Sequence, residues 1–156
     1  MEKLKVKIKK VNEHAVIPTY AKKGDMCMDI TAIGYEFDCK RECHVYKTGL
    51  AFEIPEGYGM LLFPRSSNRN TDCYMTNSVG IIDSGYRGEV LVCYKDRDRE
   101  KINVSTPPYE IGERIAQICI IPYPQIEFEE TDVLSNSERG EGGHGSTGKW
   151  QHIFYY

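Results

Sequence analysis

Long apolar runs are missing from this 156-residue chain. No segment approaches the roughly 18 consecutive apolar residues of a membrane-spanning helix. A surplus of basic residues is missing as well: 20 Lys and Arg stand against 23 Asp and Glu, a formal net charge of −3. No overall basic field holds the chain to duplex nucleic acid or to an anionic membrane, although local basic sites stay open. The opening MEKLKVKIKKV carries positive charge without an apolar stretch behind it, so it does not read as a secretory signal. A reducing, cytoplasmic setting is the expectation, with the six cysteines as thiols. Zinc-ligand spacing is also absent. Only Cys39 and Cys43 are close, and no second close pair completes a four-ligand set. Cys93 and Cys119 stand in apolar runs and read as core residues.

Helical periodicity is scarce, and short runs of β-branched, aromatic and aliphatic residues take its place. They are Lys3–Lys10, Tyr35–Cys39, Gly49–Ile54, Gly59–Phe63, Glu89–Tyr94 and Arg114–Ile121. In the first, Leu4, Val6 and Ile8 alternate with lysines, the pattern of a half-buried strand. Gly, Pro and Asn signals punctuate the runs, which predicts an all-β sandwich or barrel. One short helix fits near Ser67–Cys73. The sign-alternating stretch from Lys95 to Lys101 reads as a solvated hairpin loop. With 40% hydrophobic and 28% charged residues, the chain has an ordinary globular composition. Its length suits one domain, here residues 1–134, with a tail at 135–156. The tail holds five of the 14 glycines between positions 140 and 148. Such a segment forms no core of its own.

The tail nearly spells a phosphate-binding loop in Gly143-His-Gly-Ser-Thr-Gly148-Lys149, but Trp150 stands where a Ser or Thr must hold magnesium. Too little chain follows for the required helix and sheet. Its chemistry still suits an anion. Glycines let backbone N–H groups approach phosphate, Ser146 and Thr147 add hydroxyls, Arg139 offers a bidentate fork, and His144 can lay its ring on a base. Glycine richness alone equally fits a plain flexible tail.

Two further clusters carry chemistry. Arg65-Ser66-Ser67 follows the run Gly59–Phe63 and places a charge and two hydroxyls together. From Asn77 to Val90 the pattern reads as two strands around a tight turn near Ser84-Gly85. Asp83, next to Ile81-Ile82, caps a turn or acts as a base. Tyr86 either packs or underlies a sugar, and Asn77 has the donor and acceptor to read a base edge. Gln117, inside an apolar strand, needs a partner from protein or ligand.

In this order the pieces resemble the trimeric dUTPase family. The matching segments are Pro18 to Ile30, Arg65-Ser66-Ser67, Asn77 to Gly88, Gly112 to Gln117 and Arg139 to Gly148. The resemblance implies a jelly-roll-like distorted β-barrel and a homotrimer with shared active sites, each closed by a C-terminal arm. It implies hydrolysis of dUTP to dUMP and pyrophosphate, with Mg²⁺ on the triphosphate. That activity would limit uracil incorporation into DNA and supply dUMP for dTMP synthesis. By the same resemblance Asp83 activates the attacking water, and Asn77 reads uracil with the backbone of Gly80 and Ile82. Tyr86 packs under deoxyribose. Arg65, Ser66, Ser67 and Gln117 hold phosphates, and Asp29 acts on the metal through water. Arg139, Gly145, Ser146 and Thr147 grip the terminal phosphate, while His144 stacks on the base. Met26-Cys27 departs from the Ala-Gly usual before the first-motif Asp, and Gly85 stands where many members have Asp. A dCTP deaminase of the same fold fits Asp83-Ser-Gly-Tyr-Arg-Gly poorly. A nucleotide-gated regulator without turnover is the third reading.

Overall fold

The computed structural model describes residues 3–77, 79–98, 106–143 and 146. Ten strands appear among them: β1 (Lys7–Lys10), β2 (Met28–Thr31), β3 (Gly34–Asp38), β4 (Cys43–Lys47), β5 (Leu50–Glu53), β6 (Tyr58–Pro64), β7 (Cys73–Met75), β8 (Gly80–Ile82), β9 (Leu91–Asp96) and β10 (Arg114–Pro122). Every pairing among them is antiparallel. One four-stranded sheet runs β2-β10-β6-β8, a second runs β3-β4-β9-β7, and β1 pairs with β5 alone. The fold is all-β and jelly-roll-like. The chain divides after Gln125, and a separate unit begins at Ile126, where the sequence had suggested 134/135.

β10 lies between β2 and β6, so both of its edges are paired. Ile115, Ala116, Ile118 and Cys119 are buried. A register shift between Arg114 and Ala116 explains why two neighbouring residues both turn inward. Ile30, Leu50, Met60, Leu62, Val92 and Ile118 meet in one core. Each such side chain contributes about 1.5–3 kcal/mol on burial.

The core also holds three phenols whose hydroxyls all find partners, as buried polar groups must. Tyr94 donates to the Ile115 carbonyl at 2.7 Å, Tyr46 to the Tyr109 carbonyl at 3.2 Å, and Tyr109 to Asn68 Oδ1 at 2.9 Å. Asn68 belongs to a 3-10 helix, Ser66–Asn70. The helix is shorter than the expected Ser67–Cys73, because Cys73 already pairs with Asp96 in β7. Asn68 Nδ2 also donates to the Cys73 carbonyl at 3.3 Å. A polar residue after the Arg-Ser-Ser segment therefore fastens that segment to the tyrosine core.

Three other expectations need correction. The run from Asn77 to Val90 is no hairpin. β8 pairs with β6 in one sheet, and β9 pairs with β4 and β7 in the other, so the turn carries the chain between sheets. Lys95 and Asp96 belong to β9 rather than to a loop, and Asp96 Oδ2 takes the buried His44 Nε2 at 3.0 Å. Residues 99–101 of that stretch lie outside the described residues. Cys93 is half-buried rather than core, whereas Cys119 is buried as expected. At the amino end β1 begins at Lys7; Val6 and Ile8 pack on the core while Leu4 stays exposed.

Gly49 is one position where glycine is required. Its φ is +67°, and a Cβ there would meet Ile33 Cδ1 at 2.5 Å and Ala15 Cβ at 2.8 Å. Its N–H donates to Glu89 Oε1 at 2.7 Å.

Candidate active site

Pairing of β2 with β10 sets Asp29 opposite Gln117, and pairing of β10 with β6 sets Gln117 opposite Phe63. One residue beyond β6, Arg65 turns back across this sheet. Its Nε donates to Asp29 Oδ1 at 2.7 Å, and its Nη1 donates to Ser67 Oγ and to the Arg114 carbonyl, both at 3.2 Å. Arg114 Nη1 donates to the second oxygen, Asp29 Oδ2, at 3.0 Å. Asp29 is thus gripped by two guanidiniums, and Arg114 is a residue that sequence reading passed over. It sits beside the irregularity of β10, which no sequence signal marks. Gln117 finds its partner in protein, donating from Nε2 to the Pro64 carbonyl at 3.0 Å. Ser66 is exposed and Ser67 half-buried.

The segment leading into β2 is shaped by a turn in which the Lys22 N–H donates to Asp25 Oδ2 at 2.7 Å and Gly24 takes a φ of +95°. That turn does not depend on a glycine at 27, so Asp29 reaches its register with Met26-Cys27 in place. A cavity of about 340 Å³ opens here, lined by Thr19, Ala21, Asp25, Met26, Cys27, Asp29 and Gln117.

A second cavity, about 240 Å³, is lined by Asn77, Gly80, Ile82, Asp83, Tyr86 and Glu89 among others. The turn after β8 closes with the Tyr86 N–H donating to the Asp83 carbonyl at 3.1 Å. It leaves the Asp83 carboxylate exposed. The Tyr86 phenol lies across Gly88, where any Cβ would collide with it, and donates to the Glu89 carbonyl at 3.1 Å. Glu89, also missed in the sequence, therefore ties Tyr86 to the Gly49 turn. A Cβ at Gly80 would stand 3.0 Å from Leu62 Cβ and 3.3 Å from Asn77 Nδ2. The bare glycine is what lets the Asn77 amide lie over the strand.

The two cavities share no lining residue. Arg65, Ser67, Asp29 and Gln117 come together on one side, and Asn77, Gly80, Ile82, Asp83 and Tyr86 on the other. A larger apolar groove of about 500 Å³, with Leu4, Ile17 and Phe52 on its walls, contains none of the expected site residues. In the separate carboxy-terminal unit, Arg139 Nε donates to the Gly142 carbonyl at 3.1 Å, and the Ser146 N–H donates to the Gly143 carbonyl at 2.9 Å. Two successive turns so bring the Arg139 carbonyl and Ser146 Oγ close to Gly142. His144, Gly145 and Thr147 lie outside the described residues. No helix among the described residues is long and apolar enough to cross a membrane.

The dUTPase family model matches residues 13–148. The chain is 42% identical over 149 residues to the deoxyuridine 5'-triphosphate nucleotidohydrolase of Nautilia profundicola, covering 94% of this chain and 100% of the relative. It is 37% identical over 144 residues to the enzyme of that name from Clostridioides difficile, with coverage of 92% and 97%. Among solved structures, the Staphylococcus bacteriophage 80alpha dUTPase with dUpNHpp superposes with a TM-score of 0.74 at 29% identity, over 93% of this chain and 99% of the other. By sequence and by fold, the chain belongs to the dUTPase family.

Proposed function

We propose that this protein hydrolyses dUTP to dUMP and pyrophosphate, using Asp83 to activate the attacking water. The carrying observation is the second cavity. It holds an amide able to read a base edge, a phenol close against a glycine, and an exposed carboxylate on one short turn.

Asn77 offers both a donor and an acceptor, which suits the uracil edge and mispairs with the amino group of cytosine. Gly80 and Ile82 bring strand backbone alongside. Tyr86, held across Gly88, packs against the deoxyribose and opposes a 2′-hydroxyl. Asp83 takes a proton from water as that water attacks the α-phosphorus, and the carboxylate must be ionised to do so. Arg65, Ser66, Ser67 and Gln117 receive the phosphates, where fixed donors stabilise charge developing on the leaving pyrophosphate. Arg139, Ser146, Thr147 and Gly145 close over the terminal phosphate, with His144 against the base.

Mg²⁺ would add charge neutralisation on the triphosphate. Both Asp29 oxygens are taken by arginines, at 2.7 and 3.0 Å. That favours a carboxylate acting on the metal through water over a direct ligand, in keeping with an ion that keeps its hydration and leans on substrate phosphates.

One nucleotide needs both clusters, and their cavities have no wall in common. Copies of the chain acting together, as a homotrimer sharing its sites, would supply both. The activity suits a cytoplasmic nucleotide-pool enzyme. The test is pyrophosphate release from dUTP, dCTP, dTTP and UTP, each with Mg²⁺ and with chelator. Release from dUTP alone, lost with chelator, is expected. Silence on all four from folded protein would overturn the reading, and light scattering on the same sample reads the oligomer.

A further inference from the structure

The strand pairing brings two thiols together at the edge of the phosphate-side cavity. Asp29 faces Gln117 and Met28 faces Ile118 across β2 and β10. Continuing that antiparallel register by one residue sets Cys27 directly opposite Cys119. The Cys119 thiol is held above its ordinary pKa first by burial and then by the neighbouring Cys27 side chain, in keeping with that register. Directly opposed residues in an antiparallel pair have Cα atoms about 4.5–5.5 Å apart, inside the range a disulfide spans. Side chains two apart on a strand share a face. Cys27, Asp29, Gln117 and Cys119 therefore form one square on one face of the sheet. Cys27 is half-buried and lines the cavity with Asp29 and Gln117, while Cys119 is 3% exposed behind it.

The molecule contains its own control. Cys43 and Cys93 lie on the paired strands β4 and β9. Cys93, however, is opposite Val45, which leaves Cys43 on the diagonal. Diagonal neighbours are about 7–8 Å apart, too far for a bridge without backbone movement.

We propose that Cys27 and Cys119 are a reversible oxidation site for hydroperoxides, closing to a disulfide that disables the adjacent phosphate subsite. Access decides the order of events, because Cys27 faces the cavity and Cys119 does not. The Cys27 thiol gives two electrons to the hydroperoxide and becomes a sulfenic acid, and the peroxide's other oxygen leaves as water or alcohol. The Cys119 sulfur then attacks the Cys27 sulfur. The S–O bond breaks, the S–S bond forms, and the departing hydroxyl takes the Cys119 proton as water. Burial holds the Cys119 thiol above its ordinary pKa, which leaves the more accessible Cys27 as the thiol oxidised first. Bridging draws the Cβ atoms to about 3.8 Å, so the neighbouring Asp29–Gln117 pair must shift. A displacement of about 1 Å near reacting groups costs up to roughly 100-fold in rate. The gating half of the proposal rests on the dUTP reading above, and the thiol half does not.

The experiment treats the full chain with hydrogen peroxide, alkylates it and maps its peptides by mass spectrometry. Expected is a peptide pair joining Cys27 to Cys119 and lacking two hydrogens, reversed by dithiothreitol, with Cys43 and Cys93 alkylated as before treatment. Free alkylation of both Cys27 and Cys119 after peroxide, or a sulfinic Cys27 beside a free Cys119, overturns the site. In parallel, dUTP turnover of the oxidised protein should fall several-fold or more and return with dithiothreitol. In Cys27→Ala the ratio of oxidised to reduced turnover should stay near one. A disulfide that leaves turnover intact overturns the gating. Failure of the dUTP reading looks different: the reduced protein would then be inactive, and the peptide map would still decide the thiol pair.

Discussion

Arg65 Nε stands 2.7 Å from Asp29 Oδ1, so the cation proposed to receive a phosphate is already tied to an anion of the same sheet. Both side chains are only 23% exposed, which shields the pair from screening. The arrangement fixes the direction of the guanidinium fork at the cost of part of its free charge. Arg65→Lys keeps the charge and loses the fork. It should lower kcat/KM for dUTP by at least about tenfold, since a lysine cannot reach Asp29, Ser67 and the Arg114 carbonyl at once. Arg114 is 57% exposed, and Arg114→Lys should shift stability by under about 1 kcal/mol. Steady-state kinetics and urea unfolding separate the two; equal losses in both variants would show that Arg65 is only a strut.

Asp83→Asn keeps size and polarity and removes the carboxylate proposed as the base. Turnover should fall by roughly 10²–10⁴, while affinity for a non-hydrolysable dUTP analogue stays within a few-fold. Titration calorimetry against single-turnover kinetics reads the split. Retained turnover would take the general-base role away from Asp83.

Two glycines near the turn should behave oppositely. Gly80→Ala presses a methyl towards Leu62 Cβ and Asn77 Nδ2, at 3.0 and 3.3 Å. One of them must give, at about 1–3 kcal/mol in stability or nucleotide binding. Gly85 has open space around its missing side chain, so Gly85→Asp should leave melting and kcat nearly unchanged. An inactive Gly85→Asp protein would mean that the turn meets something the single chain does not contain.

Alkali should loosen the barrel through its phenols. Burial raises the pKa of Tyr46 and of Tyr94 well above the ordinary 10.0. A group held neutral in this way contributes stability that is whole below its unfolded pKa. That contribution is lost as pH rises towards the folded value. Urea midpoints should therefore be steady up to about pH 9 and fall beyond about pH 10. Tyrosinate absorbance from the buried phenols should appear together with loss of β-sheet circular dichroism. Ionisation well before unfolding would place these phenols in contact with water.

Much of this architecture was legible in the residues. The apolar runs of β6 and β10, and the glycines and prolines between runs, announced an all-β fold, and the ordered motifs pointed to the family. Sequence did not reveal which strands pair. The stretch through Ser84-Gly85 looks like a hairpin because local turn chemistry is the same whether a chain folds back on its own strand or crosses to another sheet. Arg114 and Glu89 were passed over for a related reason. Their importance comes from the atoms they meet, Asp29 Oδ2 and the Gly49 N–H, which are distant in sequence. Asn68 matters in the same way, through Tyr109, which stands far off in sequence. Long-range partners are set by tertiary pairing, and no local window contains them.

The central place of β10 has a consequence for how the site breathes. Its amides are sandwiched between β2 and β6, so hydrogen exchange at Gln117 should require the largest opening the barrel undergoes. The turn bearing Asp83 hangs from an edge strand and should exchange through small, frequent openings. The groups proposed to hold phosphate and the one proposed to drive water at phosphorus would then belong to opposite ends of the protein's protection scale, a frozen cradle faced by a quick hand.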